Sequence, residues 1–272
     1  MIICRTVPAL RAALAGLPRP LALVPTMGAL HAGHIALVTA GRTRAATVAA
    51  SIFVNPLQFA ASEDLARYPR DEAGDLAKLE AAGCDLVWMP PVEVMYPPGT
   101  CTLIEVGGPS EGFEGAARPG HFRGMATVVA KLFHQSQADF AMFGEKDWQQ
   151  VQVVQRMVAD LDWPIEIVPV PTVREADGLA MSSRNRFLSP AQRDVAPLLY
   201  QVLTQTAAAL REGARDALPA GDAQLRAAGL QPDYLALVDG AAMTPQALWR
   251  PGGRLIAAAR LGHVRLLDNV AA

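Results

Sequence analysis

Residues 21 to 34 read Leu21-Ala-Leu-Val-Pro-Thr-Met-Gly-Ala-Leu-His-Ala-Gly-His34. Leu21 to Val24 is a short apolar run that reads as a buried strand, ended by Pro25. His34 to Ala46 reads as a helix. A glycine-bearing turn with two histidines therefore joins a strand to a helix. Outward from this unit the alternation continues. Strands are expected at Thr47 to Val54, Asp85 to Met89, Cys101 to Val106, Phe140 to Phe143 and Ile165 to Val170. Helices are expected at Asp71 to Ala82, stopped by Gly83, at His121 to Gln135, and at Glu145 to Leu161. Apolar strands separated by helices of this length predict an α/β fold, a parallel sheet covered on both faces with right-handed crossovers.

The texture changes after Val173. A polar segment, READGLAMSSRN, leads into a long helical pattern from Pro190 to Glu212 and a short helix from Asp222 to Ala228. Strand-like runs follow at Tyr234 to Val238, Leu255 to Ala259 and Val264 to Leu267. The boundary is placed after residue 174, giving a parallel-sheet α/β domain over 1–174 and a smaller α+β domain over 175–272. No internal repeat or low-complexity tract interrupts either part.

Composition limits the function classes. The 272 residues are 51% hydrophobic and 18% charged, which excludes an intrinsically disordered chain. A formal net charge of −2 argues against a general nucleic-acid binder. Three cysteines, Cys4, Cys84 and Cys101, without a CxxC pair, speak against a disulfide framework or a zinc knuckle. The opening MIICRTVPAL lacks a basic stretch followed by a long apolar run, and no stretch approaches the ~20 apolar residues of a membrane span. The expectation is a soluble protein of the reducing cytoplasm.

Five segments carry chemistry. The first is the turn at Val24 to His34, placed beyond a strand end where open parallel sheets bind ligands. Gly28 and Gly33 allow close backbone approach, and a helix N-terminus offers N–H groups to a phosphate. His31 and His34, three apart, share a face and suit an anion whose charge grows during reaction. In the second, Ser51 to Phe59, Asn55 and Gln58 sit just past a strand ended by Asn55-Pro56. Their amides suit a hydroxyl or a carboxylate, and equally suit loop capping. The third, Arg118 to Met125, is a basic loop that could hold phosphates or simply be solvated. The fourth, Phe143 to Gln150, places Lys146 at a helix start, where a bound phosphate would relieve its conflict with the dipole. Asp147 can accept from a sugar hydroxyl, and Gln150 lies one turn beyond Lys146. The fifth, Met181 to Asn185, offers two hydroxyls and an arginine to a triphosphate. No GxxxxGK[ST] and no GxGxxG occurs, which removes support for kinase-like transfer and dinucleotide binding. Gly108-Pro-Ser-Glu-Gly112 matches a nucleophile-elbow pattern, but the following FEGAARPG is too rich in Gly and Pro to supply the required helix.

Together the blocks PTMGALHAGH, SIFVNPLQF, EDLARYPRD, RPGHFRGMATVV, FGEKDWQQ and MSSRN resemble the pantothenate synthetase (pantoate–β-alanine ligase) family over nearly the whole chain. The HxGH element alone is shared with class I aminoacyl-tRNA synthetases and nucleotidylyltransferases. MSSRN takes the place of the synthetases' KMSKS loop. The resemblance implies a Rossmann-like N-terminal catalytic domain for ATP and pantoate, a smaller C-terminal lid, and a homodimer. It implies ATP-dependent condensation of pantoate with β-alanine through pantoyl adenylate, with Mg2+ accompanying ATP.

The resemblance also implies roles for single residues. Met27, Gly28, Ala29, Leu30, His31, Ala32, Gly33 and His34 match the nucleotide-binding block, with His34 as general acid or charge stabiliser and His31 beside it. Gly144, Glu145, Lys146 and Asp147 match an ATP block, Lys146 neutralising phosphate charge and Asp147 holding the ribose. Val173 matches a backbone contact to the base. Met181, Ser182, Ser183 and Arg184 match the triphosphate-gripping loop. Gln58 and Gln150 match pantoate contacts. His34, His31, Lys146 and Arg184 form the expected catalytic set. His134 departs from the family's frequent Asn. No magnesium ligand is carried over, because the acidic stretch Asp71 to Asp75 varies among relatives. Two rival readings are an HxGH nucleotidylyltransferase acting on a phosphate acceptor, and a non-catalytic ATP-binding regulator.

Overall fold

The computed structural model describes residues 1–59, 65 and 68–272. Four residues of the EDLARYPRD block, at positions 63, 64, 66 and 67, lie outside the described residues. The chain divides into two compact units: Met1–Glu145 with Val153–Pro171, and Lys146–Gln152 with Thr172–Ala272.

The first unit holds a six-stranded parallel sheet of β1 (Ile2–Cys4), β2 (Leu21–Thr26), β3 (Thr47–Ile52), β4 (Leu86–Trp88), β5 (Phe140–Gly144) and β6 (Glu166–Val170). Its order is β1-β4-β3-β2-β5-β6. Counted from β2, the last five strands run 3-2-1-4-5, the order of a doubly wound nucleotide fold. The strand order reverses between β2 and β5, where Leu23 pairs with Ala141. Ligands bind such sheets at that reversal, beyond the C-terminal strand ends.

Helices α1 (Val7–Ala15), α2 (Ala32–Arg42), α3 (Glu72–Ala81), α4 (Val92–Met95), α5 (Phe113–Ala117), α6 (His121–Ser136) and α7 (Trp148–Asp160) follow in chain order. Alternate strand residues show why both faces are covered. Ala22, Val24, Val48, Ala50 and Val87 pack against Leu37 and Val38 of α2 and Leu79 of α3. Trp88, the next residue after Val87, points the other way, and its indole N–H donates to Gln135 of α6 at 3.1 Å.

In the second unit β7 (Gln231–Asp239), β8 (Gly253–Leu261) and β9 (Val264–Ala271) form an antiparallel sheet. Leu255, Ala257, Ala259 and Leu261 alternate along β8 and form one core with Val202 and Leu203 of α9 (Leu198–Arg211) and Leu225 of α10 (Ala217–Ala227). The α/β class with a smaller α+β part is as the sequence predicts.

Several boundaries differ. Pro25 does not end β2, which pairs with β3 through Thr26. β1 escapes sequence reading because three residues carry too little period, and α1 lies outside the expected helices. The expected strand Cys101 to Val106 joins no sheet; the Ile104 N–H donates instead to the Thr127 hydroxyl at 2.9 Å. The long helix expected from Pro190 breaks into α8 (Pro190–Val195) and α9, because Pro197 has no N–H to donate and stands as the cap of α9. The short helix expected at Asp222 starts earlier, at Ala217.

Candidate active site

The turn after β2 is shaped by two successive left-handed residues, Gly28 at φ 83° and Ala29 at φ 52°. A Cβ on Gly28 would lie 3.0 Å from an Asp75 oxygen and 3.2 Å from Ile52. Such a turn points its N–H groups to one side, and Asp75 meets them. Asp75, buried on α3, accepts from Ala29 N at 2.7 Å and Leu30 N at 2.8 Å. Lys78, one turn on, lies 3.7 Å from Asp75 and donates to the Leu30 carbonyl at 3.0 Å. The acidic stretch Asp71 to Asp75 thus has structural duties. Asp71 caps α3 by accepting from Gly74 N, and Asp75 clamps the turn.

His31 and His34 open α2 as a reciprocal cap. His31 Nδ1 accepts from Gly33 N at 3.2 Å, and His34 Nδ1 accepts from His31 N at 3.3 Å. A backbone N–H only donates, so each Nδ1 is an acceptor and each ring proton sits on Nε2. The rings lie 4.1 Å apart, centroid to centroid. Two N–H donors are therefore oriented at a helix N-terminus, where negative charge is favoured.

Asn55 and Gln58 lie past the end of β3, on the turn Pro56–Gln58. Asn55 fulfils the capping reading: its Oδ1 accepts from Leu57 N and its Nδ2 donates to Gly124 O at 3.0 Å. Gln58 is buried and sits against the first segment, its Nε2 3.1 Å from Met27 Sδ. The basic loop before α6 supports this turn. His121 Nδ1 meets the Gln58 carbonyl at 3.0 Å, and Arg118 meets His121 Nε2 at 3.1 Å. Gly124 leaves room that no other residue would: its Cβ would stand 2.1 Å from Leu57 O. The structure thus pairs Met27 with Gln58 and His31 with His34, on the turns that follow the neighbouring strands β3 and β2. Asp75 and Tyr96, which donates to Asn55 at 2.8 Å, were not legible as site residues.

Gly144 ends β5, and Glu145 opens the short turn Glu145–Asp147 ahead of α7. Lys146 lies in that turn rather than in the helix, with Nζ 3.7 Å from Asp147. In the second unit this turn and the helix start are held three ways. Asn269 donates to the Lys146 carbonyl at 2.9 Å, Trp148 donates to Gly240 O at 2.6 Å, and Arg254 stacks 3.5 Å from the Trp148 ring centre. Gln150 follows on the first turn of α7. Val173 and Met181 are adjacent, Met181 N donating to Val173 O at 3.0 Å. Ser182 caps the turn Ser183–Phe187 by accepting from Arg184 N, and the Arg184 side chain is exposed. Asn185 anchors the same turn to Glu175 and to Ala180 O, and Arg193 bridges Glu175 and Asp177.

The GxSxG match is a decoy for a reason other than the expected one. A short helix, α5, does follow Gly112, but no strand precedes Gly108, and the Ser110 hydroxyl donates to Val106 O. Burial pushes the Cys84 thiol up to about 11.

A family model for pantoate-beta-alanine ligase matches residues 2–271. The chain belongs to the pantoate-beta-alanine ligase family. It is 58% identical over 277 residues to a pantothenate synthetase of Acidiphilium cryptum, covering 100% of both chains. A crystal structure of pantothenate synthetase from Thermus thermophilus superposes with a TM-score of 0.95 at 50% identity, covering 100% of this chain and 99% of that one. A Francisella tularensis pantoate-beta-alanine ligase, crystallised with beta-gamma ATP and beta-alanine, superposes with a TM-score of 0.84 at 31% identity, covering 100% and 97%. Membership disfavours the nucleotidylyltransferase reading. Among the described residues no helix is long and apolar enough to cross a membrane.

Proposed function

We propose that the chain condenses (R)-pantoate with β-alanine to pantothenate at the expense of ATP, on the site around the paired histidines. The carrying observation is the His31–His34 cap at the β2/β5 reversal, in a chain of this family. In the first half-reaction a pantoate carboxylate oxygen attacks the α-phosphorus of ATP. The bond to the β-phosphate oxygen breaks, pyrophosphate leaves, and pantoyl adenylate remains. In the second, the β-alanine amine attacks the acyl carbon, the carbon–oxygen bond to AMP breaks, and the nitrogen sheds a proton.

Charge builds on the α-phosphate oxygens and on the departing pyrophosphate. The Nε2–H groups of His31 and His34, the Lys146 ammonium and the Arg184 guanidinium are assigned to meet it. Met27 to His34 cradle the nucleotide, with Gly144 and Glu145 beside it. Asp147 takes the ribose and Val173 the base. Met181, Ser182, Ser183 and Arg184 grip the triphosphate, and Gln58 and Gln150 hold pantoate. The 1–174 region is read as the catalytic domain and 175–272 as a lid that excludes water from the labile adenylate. Magnesium enters with ATP as part of that substrate. Such ions are usually held by phosphates and one or two carboxylates. Asp75 is buried, accepts two backbone N–H groups and has the Lys78 ammonium 3.7 Å away, which assigns it to holding the turn. A homodimer in the cytoplasm completes the reading.

The test is a product assay with ATP, magnesium, pantoate and β-alanine, omitting each in turn. AMP and pantothenate should form only in the full mixture, and pantoate alone should support exchange of pyrophosphate into ATP. No AMP in any mixture overturns the reading.

A further inference from the structure

Gln58 is an amide, and an amide can present either its oxygen or its nitrogen to a ligand. Here the choice is forced by a chain of partners that ends in backbone. Asn55 Oδ1 accepts from Leu57 N at 3.2 Å, and Asn55 Nδ2 donates to Gly124 O at 3.0 Å. A backbone N–H only donates and a carbonyl only accepts, so the Asn55 amide has one orientation. The Tyr96 hydroxyl, 2.8 Å from Asn55 Oδ1, must therefore donate. Burial holds the Tyr96 phenol above its ordinary range, so the proton it donates stays in place. The second hydrogen of Asn55 Nδ2 goes to Gln58 Oε1, 3.0 Å away. Gln58 must then turn Nε2 forward, toward Met27.

We propose that Asn55, oriented by backbone and further anchored by the Tyr96 hydroxyl, holds Gln58 as a hydrogen-bond donor toward the hydroxy-acid substrate, making Asn55, and Tyr96 through it, positioning residues for pantoate. The inference rests on the reading that Gln58 meets pantoate. A donor at that point donates to a carboxylate or to the lone pair of a hydroxyl. It turns away an ammonium, the end of the second substrate that must not occupy this position before adenylation.

The test compares Y96F, Q58A, Q58E and the double variant Y96F/Q58A by the KM of each substrate. Y96F should raise the KM for pantoate roughly two- to tenfold, the span of one ordinary hydrogen bond, and leave the KM for ATP unchanged. Y96F should add nothing in the Q58A background, because its effect passes through Gln58. Q58E, which replaces the donor with a carboxylate, should weaken pantoate more than Q58A does. A Q58A enzyme with unchanged KM for pantoate overturns the pantoate subsite itself. If Q58A weakens pantoate but Y96F does not, or Y96F adds fully to Q58A or moves both KM values equally, the orienting role of Tyr96 is wrong.

Discussion

The His34 ring accepts a hydrogen bond at Nδ1 from the backbone N–H of His31, 3.3 Å away, while His31 Nδ1 accepts from Gly33. The two residues that crown α2 thus also cap it. Each cap leaves the outer nitrogen protonated, which is the form a donor to phosphate requires.

His34→Ala should slow adenylate formation by roughly 10² or more, as other lost transition-state donors do. It should also cost about 1 kcal/mol of stability through the missing cap. Pantoate-dependent pyrophosphate exchange measures the first and urea unfolding the second. An unchanged exchange rate removes His34 from the chemistry.

Asp75→Ala leaves the buried Leu30 N–H and the part-buried Ala29 N–H without their acceptor, at up to ~1–3 kcal/mol each. The turn that carries Met27 to His34 should loosen, and the KM for ATP should rise more than that for pantoate. Because Asp75 acts as a clamp, excess magnesium should not restore activity. Restoration by magnesium would instead make Asp75 a metal ligand.

Gly124→Ala places a methyl 2.1 Å from Leu57 O and 2.6 Å from Gln58 N. Backbone cannot yield cheaply, so stability should fall by roughly 1–3 kcal/mol. The displaced turn carries Gln58, so the KM for pantoate should rise with it. A variant with wild-type stability and KM shows that the contact relaxes without cost.

In the second unit Arg174 forms a two-pronged pair with the buried Asp268, at 2.6 and 2.9 Å, and lies 3.6 Å from the Tyr200 ring centre. Asp268→Ala should destabilise by about 3–5 kcal/mol, because it strands a half-buried guanidinium. Replacing both partners with apolar residues should cost less than that single change. Chemical unfolding of the three variants decides it.

Cys84 is raised from 9.0 to about 11 by burial, so the folded state keeps its thiol proton after the unfolded chain has lost it. Its contribution is intact below pH 9 and is lost as pH climbs toward 11. Over that window wild type should lose stability faster than Cys84→Ala, by at most about 1.4 kcal/mol per pH unit. Equal slopes would contradict the shift. At pH 8 iodoacetamide should label the exposed Cys101 and leave Cys84 intact, as mass spectrometry would show.

The sequence by itself determined the alternation of strands and helices, the turn after β2, and the blocks that carry the chemistry. These are legible because a strand's period, a proline, a glycine or a helix cap acts within a few residues. The HxGH block is such a case, since its residues cap one another across three positions. What holds the blocks was decided by tertiary structure. Asp75 reaches Ala29 and Leu30 from 46 and 45 residues away, Tyr96 reaches Asn55 across 41, and His121 meets Gln58 across 63. A buried carboxylate or hydroxyl satisfies any donor or acceptor that folding brings within 3 Å or so, whatever the separation along the chain. The same holds for the segment Cys101 to Val106, which has a strand's composition and joins no sheet. Pairing needs a neighbour, and the neighbour is supplied by the fold.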